Sequence, residues 1–252
     1  YMIQPIHSEG SAREKVYEYL LKQMRDGVLL PGSTLNLKDI SKKLAMSNTP
    51  LRDSLIKLEA EGFLTIYPRS KVVINSLEYE DFPFLYSTIG TLEALLITSS
   101  LHFYTAEHLE YLYQKNEEMK NALDEDDMVV YDKCHYEFHD IFTELGKNVF
   151  AERIITPIKN RLWDFPRKNF IKEWYQNAIK EHEQIVDSIK EKNVAKLEYI
   201  IKQIHWGIDY NLHYVRKAYG VSKKWMNNGI AEKFIVFSGM RGRKCFRFYL
   251  IY

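Results

Sequence analysis

Two histidines four residues apart offer the plainest chemistry in this sequence. His135 and His139 occupy positions i and i+4 of a segment in which apolar residues recur with the period of a helix. Side chains with that spacing project from one face of a helix, which is what two imidazoles sharing a metal ion require. Cys134 precedes His135 by one residue and points about 100° aside, so its thiolate is not counted with the pair. The pair therefore predicts part of a metal site, with a hydrogen-bonded core or surface histidine as the alternative at each position.

The same pair defines an enzymatic hypothesis, because zinc proteases place two histidines at this spacing. In those enzymes the general-base glutamate directly follows the first histidine, whereas Tyr136 follows His135 here and Glu137 points away from the pair. The sequence contains no nucleophile elbow, P-loop or dinucleotide-binding glycine pattern. A metal-dependent enzyme built on the helical half is thus the second hypothesis, and no residue is assigned a catalytic role.

Polar and basic residues near the start of the chain suit contact with double-stranded DNA. Four of them surround Pro50: Ser47, Asn48, Thr49 and Arg52. A capping residue shortly before a proline predicts the first turn of a helix. Hydroxyl and amide groups there suit phosphate or adenine, and a guanidinium suits guanine. Lys38 lies on the preceding predicted helix, and Arg69 and Lys71 lie at a predicted hairpin tip, where they would contact the phosphate backbone or a minor groove.

The elements that must position these groups are three helices and a hairpin. An apolar stripe through Val16, Leu20 and Met24, with Ser11 as N-cap, predicts a first helix over 11–25. A second helix is predicted over about 37–44, and a third runs from the Pro50 region to about residue 60 before Gly62 ends it. Residues 63–67 and 72–74, joined by a turn at 68–71, predict a β-hairpin. This order is typical of a winged helix-turn-helix, whose third helix enters the major groove.

The rest of the chain is predicted to be an antiparallel all-helical bundle, so the fold class is mainly α. Helical periodicity replaces strand signals after residue 78, and the breaks between long helical segments are short. The segments lie near 78–102, 106–123, 127–145, 148–164, 170–191 and 194–219. The predicted organisation is therefore a DNA-binding domain at 11–75, a helical effector-binding and dimerisation domain at 78–220, and an unassigned basic tail at 221–252.

The distribution of charge supports this division. The 252 residues carry a net charge of only +1. Residues 11–75 carry 11 Lys and Arg against 7 Asp and Glu, residues 76–220 carry 17 against 25, and residues 221–252 carry 7 against 1. A basic first module followed by an acidic one suits a chain that meets a polyanion with its first part. Two cysteines form no disulfide framework, and no apolar run approaches about 18 residues, so a cytoplasmic protein with no membrane partner is expected.

Residues 11–75 resemble the GntR regulators, in particular the FadR-like branch with an FCD-type C-terminal domain. The resemblance rests on Pro31-Gly32-Ser33, on Ser47-Asn48-Thr49-Pro50-Leu51-Arg52-Asp53, on Leu55, Leu58 and Gly62, and on the hairpin. Two positions depart from the family pattern, since Asn48 stands where an arginine that contacts DNA is common and Ser70 stands where the wing usually has glycine. The resemblance implies a DNA-binding transcription regulator, but its operator sequence is not carried over.

The resemblance continues over about 80–208 and implies a metal site. Its landmarks are Leu92-Glu93, Phe138-His139 with Asn148, and Glu181-His182 with Ile185 and Ile189. In the family an aspartate one turn before the first histidine, that histidine and two later histidines hold a divalent transition metal, for which zinc, nickel and manganese are the candidates. The matching set here is His135 in place of the aspartate, His139, His182 and His205.

His205 stands one residue out of register with the family's last ligand. The apolar stripe through Leu197, Ile201 and Ile208 places Ile204 at the ligand position. His205 is the next residue and would point about 100° away from that position. A one-residue adjustment at 191–194 or a local bulge would bring His205 inside. The metal set is accordingly predicted with or without His205.

The function implied by the resemblance is ligand-responsive control of transcription by a homodimer on a near-palindromic operator. A small-molecule effector, such as a carboxylic acid, would bind over the metal and shift the pose of the DNA-binding heads. Aromatic residues able to wall its pocket, if they are not simply core, are Phe138, Trp163, Trp174, Tyr175 and Trp206. A third hypothesis is a constitutive DNA-binding protein whose helical half serves only dimerisation.

Overall fold

Three helices and an antiparallel hairpin form the first module of the computed structural model, which describes residues 11–25, 27–77, 79–163 and 169–219. The elements are α1 (Ala12–Arg25), α2 (Leu37–Leu44), α3 (Asn48–Ala60), β1 (Leu64–Tyr67) and β2 (Lys71–Ile74). They follow the predicted order, and the main difference is that Lys71 starts the second strand instead of belonging to the turn. The predicted basic tail at 221–252 lies outside the described residues.

Local capping and apolar packing explain why α1 and α3 form and cross. The Ser11 hydroxyl accepts from the backbone N–H of Glu14 at 3.3 Å, and the Glu14 carboxylate accepts from the backbone N–H of Ser11 at 2.7 Å, which is a capping box. Leu51, Leu55 and Leu58 of α3 are buried in one cluster with the apolar stripe of α1. Helix α2 has no fully buried residue and covers this core only partly.

The hairpin forms a wing with a short additional partner. Leu64 pairs with Ile74 and Tyr67 pairs with Lys71 in the antiparallel register. On the other side of β2, the backbone N–H of Leu35 donates to the backbone oxygen of Val72 at 2.9 Å, and Thr34 forms an isolated antiparallel bridge with Val73. This pairing ties the link between α1 and α2 to the wing.

The second module consists of helices joined by short connections. They are α4 (Phe82–Ser99), α5 (Ala106–Asp124), α6 (Met128–Gly146), α7 (Val149–Trp163), α8 (Lys172–Lys190), α9 (Val194–Tyr199) and α10 (Ile208–Tyr219). Helix α5 packs on α6 and α8, and α4 packs on α6 and α7, around one apolar core. Within the described part of the chain, no helix is both long and apolar enough to cross a membrane.

The predicted continuous helix over 194–219 is wrong. The chain leaves α9 in a π-helical turn, Ile200–His205, breaks at Trp206-Gly207 and resumes as α10. A Cβ atom on Gly207 would lie 2.0 Å from the backbone oxygen of Gln203, so the break requires glycine. Asn211 at the start of α10 donates to the backbone oxygens of Ile204, His205 and Gly207 at 2.9 to 3.1 Å and closes the turn.

Gly90 lets α4 approach this turn closely. A Cβ atom at position 90 would lie 2.7 Å from the Cβ of Trp206, which is closer than two carbon atoms in van der Waals contact can be. The approach brings Glu93, one turn further along α4, to the indole of Trp206, whose Nε1 donates to Glu93 Oε2 at 2.5 Å.

Arg161 of α7 connects the two modules. Its Nη2 donates to the backbone oxygen of Ser76 at 3.3 Å, and its guanidinium lies over Gly62 at the end of α3. Gly62 has a φ of +80°, and a side chain there would meet Arg161 Nη1 at 3.2 Å.

Candidate functional site

The residues predicted to contact DNA lie on the exposed surface of the first module. All seven are solvent-exposed: Lys38, Ser47, Asn48, Thr49, Arg52, Arg69 and Lys71. Lys38, Asn48 and Arg52 line one concave surface between α2, the start of α3 and the wing. Arg69 lies at the tip of the hairpin with a φ of 64°, and Lys71 begins the strand that leaves it. Ser47 occupies the N-cap position of α3, but its hydroxyl accepts no hydrogen bond from that helix.

Two further residues shape this surface and were not identified from the sequence. Tyr67 lines the same concave surface with 48% of its side chain exposed, and Lys71 Nζ lies 5.8 Å from its ring centroid. Glu59 Oε1 accepts from the backbone N–H of Ile66 at 2.7 Å and so fastens the wing to α3. An aromatic residue at the end of a predicted strand, directly before the turn, is the signal that would have pointed to Tyr67.

Four histidines from three parts of the bundle meet in its interior, and we call them the histidine cluster. His135 and His139 of α6 have ring centroids 4.7 Å apart, and His182 of α8 lies 5.4 and 5.2 Å from them. His205 lies 5.0 Å from His182 and 5.3 Å from His139. The predicted set is therefore gathered at one place.

The π-helical turn is what brings His205 into the cluster. A π-helical turn holds one more residue than an α-helical turn, so it shifts the inward-facing position by one. His205 is 8% exposed, whereas Ile204 is only half-buried. Of the two adjustments that would bring His205 inside, the structure contains the local bulge. The prediction that Ile204 occupies the inward position of the last ligand is therefore wrong.

Three of the histidines are fixed through Nδ1 by side-chain oxygens. His139 Nδ1 donates to Glu93 Oε1 at 2.8 Å, and His205 Nδ1 donates to Glu181 Oε2 at 2.8 Å. His182 Nδ1 lies 3.2 Å from Asn116 Oδ1. The amide nitrogen of Asn116 donates to the backbone oxygen of Ile179, and this bond fixes the amide so that its oxygen faces His182. Because each oxygen accepts, each Nδ1 carries the proton, and a metal on these rings would be bound through Nε2.

The protonation states of the buried rings suit metal binding. Burial lowers the pKa of His139 to about 4, and burial together with the neighbouring rings holds the pKa of His182 well below its usual range. Both imidazoles are neutral near pH 7, which is the form that binds a metal ion. The Nε2 atom of His182 is buried and has no hydrogen-bond partner among the described residues.

Glu93, a family landmark with no predicted contact, is a fully buried carboxylate. It contacts His139, Trp206 and, through Oε1 at 2.6 Å, Lys159 Nζ of α7. Burial opposes ionisation of Glu93, but the hydrogen bond from His139 and the charge of Lys159 hold the pKa of this carboxyl well below its usual range. Glu93 is the one charged residue in the apolar sequence of α4, and this was the signal that it could have a buried role. Its partners lie far away in the sequence and could not be inferred from it.

Two overlapping groups of ligand atoms have the spacing of a metal site. His135, His139 and His182 offer atoms within 4.8 Å of one another, and so do Glu93, His139 and His205. Both oxygens of Glu93 already accept hydrogen bonds, so the three-histidine group fits a metal better, with Glu93 orienting His139 from behind. The donors are imidazoles, which suit zinc, nickel or copper.

A third group, Glu118, Cys134 and Glu137, lies outside the histidine cluster and fits a metal poorly. Lys115 Nζ is 2.7 Å from Glu118 and 2.9 Å from Glu137, so a cation already occupies the space between the carboxylates. Burial raises the pKa of the Cys134 thiol to about 11, and the neutral thiol is a weak ligand.

A cavity of about 80 Å³ opens beside the histidine cluster. His135 and His205 lie in its wall, together with Trp174, Tyr175 and Trp206. Of the other aromatic residues considered from the sequence, Phe138 belongs to the core, where it stacks on His182 at 4.1 Å. The side chain of Trp163 lies outside the described structure. The cluster and the cavity thus share two of the four histidines.

Two family models match this chain, one for each module. The family model for bacterial regulatory proteins of the gntR family matches residues 12–74, and the FCD domain model matches residues 85–205. The HTH-type transcriptional regulator YdhC of Bacillus subtilis is 24% identical over 181 residues, which are 70% of this chain and 80% of that protein.

Solved structures share the fold. Escherichia coli McbR/YncC has a TM-score of 0.65 and 19% identity, and the match covers 81% of this chain and 99% of the McbR/YncC chain. A GntR transcriptional regulator from Rhodococcus sp. RHA1 has a TM-score of 0.63 and 15% identity over 85% of this chain and 100% of that one. With the winged head and the helical bundle described above, the family matches make this chain a member of the GntR family of bacterial regulators, a ligand-responsive DNA-binding transcription regulator with an FCD domain.

Proposed function

We propose that the regulator binds a near-palindromic operator as a homodimer and that a metal ion in the histidine cluster, with an effector in the adjoining cavity, controls this binding. The observation that carries the proposal is the meeting of four histidines beside a cavity, in the same chain as a winged head whose polar residues are exposed. The metal would orient the effector, and the effector would favour one arrangement of the two heads.

In the proposed complex, the start of α3 reads bases and the surrounding residues hold the backbone. Arg52 and Asn48 lie on the concave surface, with the guanidinium suited to guanine and the amide suited to adenine. Lys38, Ser47 and Thr49 would contact phosphates beside the groove, and Arg69 and Lys71 would do so from the wing. The exposure of all seven side chains supports these roles.

We expect Arg52→Ala to weaken binding to the promoter of the protein's own gene by about tenfold or more, because a bidentate contact to guanine is worth roughly 1–3 kcal/mol. Fluorescence anisotropy at fixed salt measures the change. Lys57→Ala is the matched control, since Lys57 lies on the same helix but over the ring of Tyr17, 3.7 Å from its centroid. Equal affinity of wild type and Arg52→Ala would remove Arg52 from the interface.

For the metal, we propose His135, His139 and His182 as ligands, with His205 as a further one. The Nδ1 hydrogen bonds of His139, His182 and His205 support this set, because they fix ring orientation and direct Nε2 toward the metal. A bound divalent ion would supply a Lewis-acidic site for an oxygen or nitrogen atom of the effector. Of the three candidates, zinc and nickel suit an all-imidazole set, whereas manganese prefers oxygen donors.

The histidine cluster has no catalytic step in the proposed function. Glu137 lies between the two histidines in sequence, and it forms an ion pair with Lys115 at 2.9 Å and lies 3.8 Å from Lys133. Those contacts hold it on the side of α6 away from the histidine pair, as its position in the sequence predicts.

The homodimer is supported by exposed apolar side chains on two adjacent helices. Phe84 and Leu95 of α4 are 63% and 46% exposed, and Phe150 and Ile154 of α7 are 74% and 52% exposed. Helices α4 and α7 pack against each other, so these side chains extend over neighbouring surface. Monomeric proteins seldom leave such apolar surface uncovered, and we propose that a second copy of the chain covers it.

A further inference from the structure

One exposed side chain on the concave surface of the winged head has no polar atom. Eight of the 14 residues that line this surface are solvent-exposed. Seven of the eight carry a hydroxyl, amide, ammonium, guanidinium or carboxyl group. The eighth is Ile56 of α3, which is 51% exposed and lies outside the apolar core of the head. An apolar side chain therefore stands among the groups proposed to contact DNA.

Ile56 continues a row of residues that starts at the beginning of α3. Asn48, Arg52 and Ile56 follow one another at intervals of four, so they project from one side of the helix, and all three line the concave surface. Glu59, which lies beyond them on this side, accepts from the backbone N–H of Ile66 and is held against the wing. Ile56 is thus the residue that extends the row beyond Arg52.

The side chain of Ile56 suits only one chemical group of the major groove. Phosphates and most atoms of the base edges are charged or form hydrogen bonds, and an apolar side chain placed against them would leave them without partners. The apolar group that the major groove does present is the C5-methyl of thymine. Contact between this methyl group and isoleucine removes apolar surface from water on both molecules. The chemistry of Ile56 therefore selects thymine among the four bases.

We propose that Ile56 is a specificity-determining residue that contacts the C5-methyl group of a thymine in each half of the operator. The inference rests on the proposed binding of α3 in the major groove. At about 1.5 Å per residue, Ile56 lies about 6 Å further along the helix axis than Arg52. Successive bases of a strand are about 3.4 Å apart. The thymine is therefore expected about two base pairs from the guanine that Arg52 contacts.

Two modified bases locate the two contacts in the DNA. 7-Deazaguanine lacks the N7 acceptor of guanine, and deoxyuridine lacks the methyl group of thymine but pairs in the same way. The probe is a duplex of the segment that the wild-type chain protects in the promoter of its own gene, with one guanine or one thymine replaced at a time. Fluorescence anisotropy with the full chain at fixed salt gives each affinity.

We expect deoxyuridine to weaken wild-type binding by about fourfold at one thymine of each half-site, because burial of one methyl group is worth about that factor. Replacement of both thymines should weaken binding by about tenfold or more. The affected thymine should lie about two base pairs from the guanine at which 7-deazaguanine weakens binding of the wild type but not of Arg52→Ala. A protected segment in which no deoxyuridine lowers the affinity would overturn the proposal.

Variants of Ile56 show whether this side chain detects the methyl group. Ile56→Ala should bind the thymine and deoxyuridine duplexes equally, whereas Ile56→Leu keeps an apolar side chain of the same size and should retain the difference. Lys57→Ala is the control, since Lys57 is the neighbouring residue of α3 and lies over the ring of Tyr17. Thermal unfolding shows that each variant is folded, which the exposure of Ile56 favours. A methyl effect that persists in folded Ile56→Ala would assign it to another residue and refute the proposal.

The same titrations separate this inference from the proposed function. If the wild type binds the promoter with Arg52-dependent affinity but responds to no thymine methyl group, the role of Ile56 fails and the proposed operator binding stands. If the methyl effect is lost in Ile56→Ala while Arg52→Ala binds as tightly as the wild type, the contact of Ile56 holds and that of Arg52 fails. If the wild type binds no promoter DNA above its non-specific affinity, the proposed operator binding and the role of Ile56 fail together.

Discussion

Glu93 holds together three residues that are distant in the sequence. Its carboxylate accepts from His139, Lys159 and Trp206 and is fully buried. His139 and His182 were identified from the sequence because spacing and family landmarks mark them. The contact of Glu93 with Lys159 was not predictable, because it depends on how α4 and α7 cross, and local periodicity carries no information about that crossing.

We expect His139→Ala to abolish stoichiometric metal in the purified protein, because His139 belongs to both groups of ligand atoms with metal-site spacing. Elemental analysis after growth with added zinc, nickel or manganese measures it. The control is His102→Ala, an exposed histidine outside the cluster. Metal retained at one equivalent in His139→Ala would exclude the proposed site.

Periodicity predicts most helices of this chain but does not predict the π-helical turn at Ile200–His205. The helices α1 to α8 were predicted from periodicity and breaks to within a few residues, because each buries one face and ends at a capping or turn residue. The stripe through Leu197, Ile201 and Ile208 follows an α-helical period, so periodicity alone predicts an unbroken helix with Ile204 inward. What decides otherwise is tertiary: Asn211 satisfies the backbone oxygens freed at the break, and Glu181 binds His205.

The close crossing of α4 and this turn gives a prediction for Gly90. We expect Gly90→Ala to lower the free energy of unfolding by about 1–3 kcal/mol, because the added methyl would overpack against Trp206 and push its indole from Glu93. Urea denaturation followed by circular dichroism measures it. Thr91→Ala, at an exposed position of the same helix, should change stability by less than about 0.5 kcal/mol. Equal stability of both variants would show that the crossing is not tightly packed.

At the scale of the whole molecule, the sequence predicts the order of the modules but not their surfaces. The winged head and the bundle follow from element order and from the change in charge near residue 75. The sequence does not show which apolar residues stay exposed, because helical periodicity predicts that a residue such as Phe150 is buried. Only the packed arrangement shows that 74% of its side chain is uncovered.

We expect Phe150→Glu to convert a dimer into a monomer and to weaken operator binding, because a charge in an apolar interface is costly to bury. Sedimentation velocity gives the mass, and anisotropy with a two-half-site operator gives the affinity. Val129→Glu is the control, since Val129 is 82% exposed at the start of α6. A wild-type chain that sediments as a monomer would refute the dimer outright.

Helix α7 touches three functional regions within a single turn. Lys159 forms an ion pair with Glu93 behind the histidine cluster, and Leu162 lines the cavity beside that cluster. Arg161, between them, donates to Ser76 where the chain leaves the winged head. A packed helix moves as a rigid rod. If the effector proposed for the cavity shifts this last turn of α7, the contact of Arg161 with Ser76 would shift with it, which would give the proposed control of DNA binding a physical route.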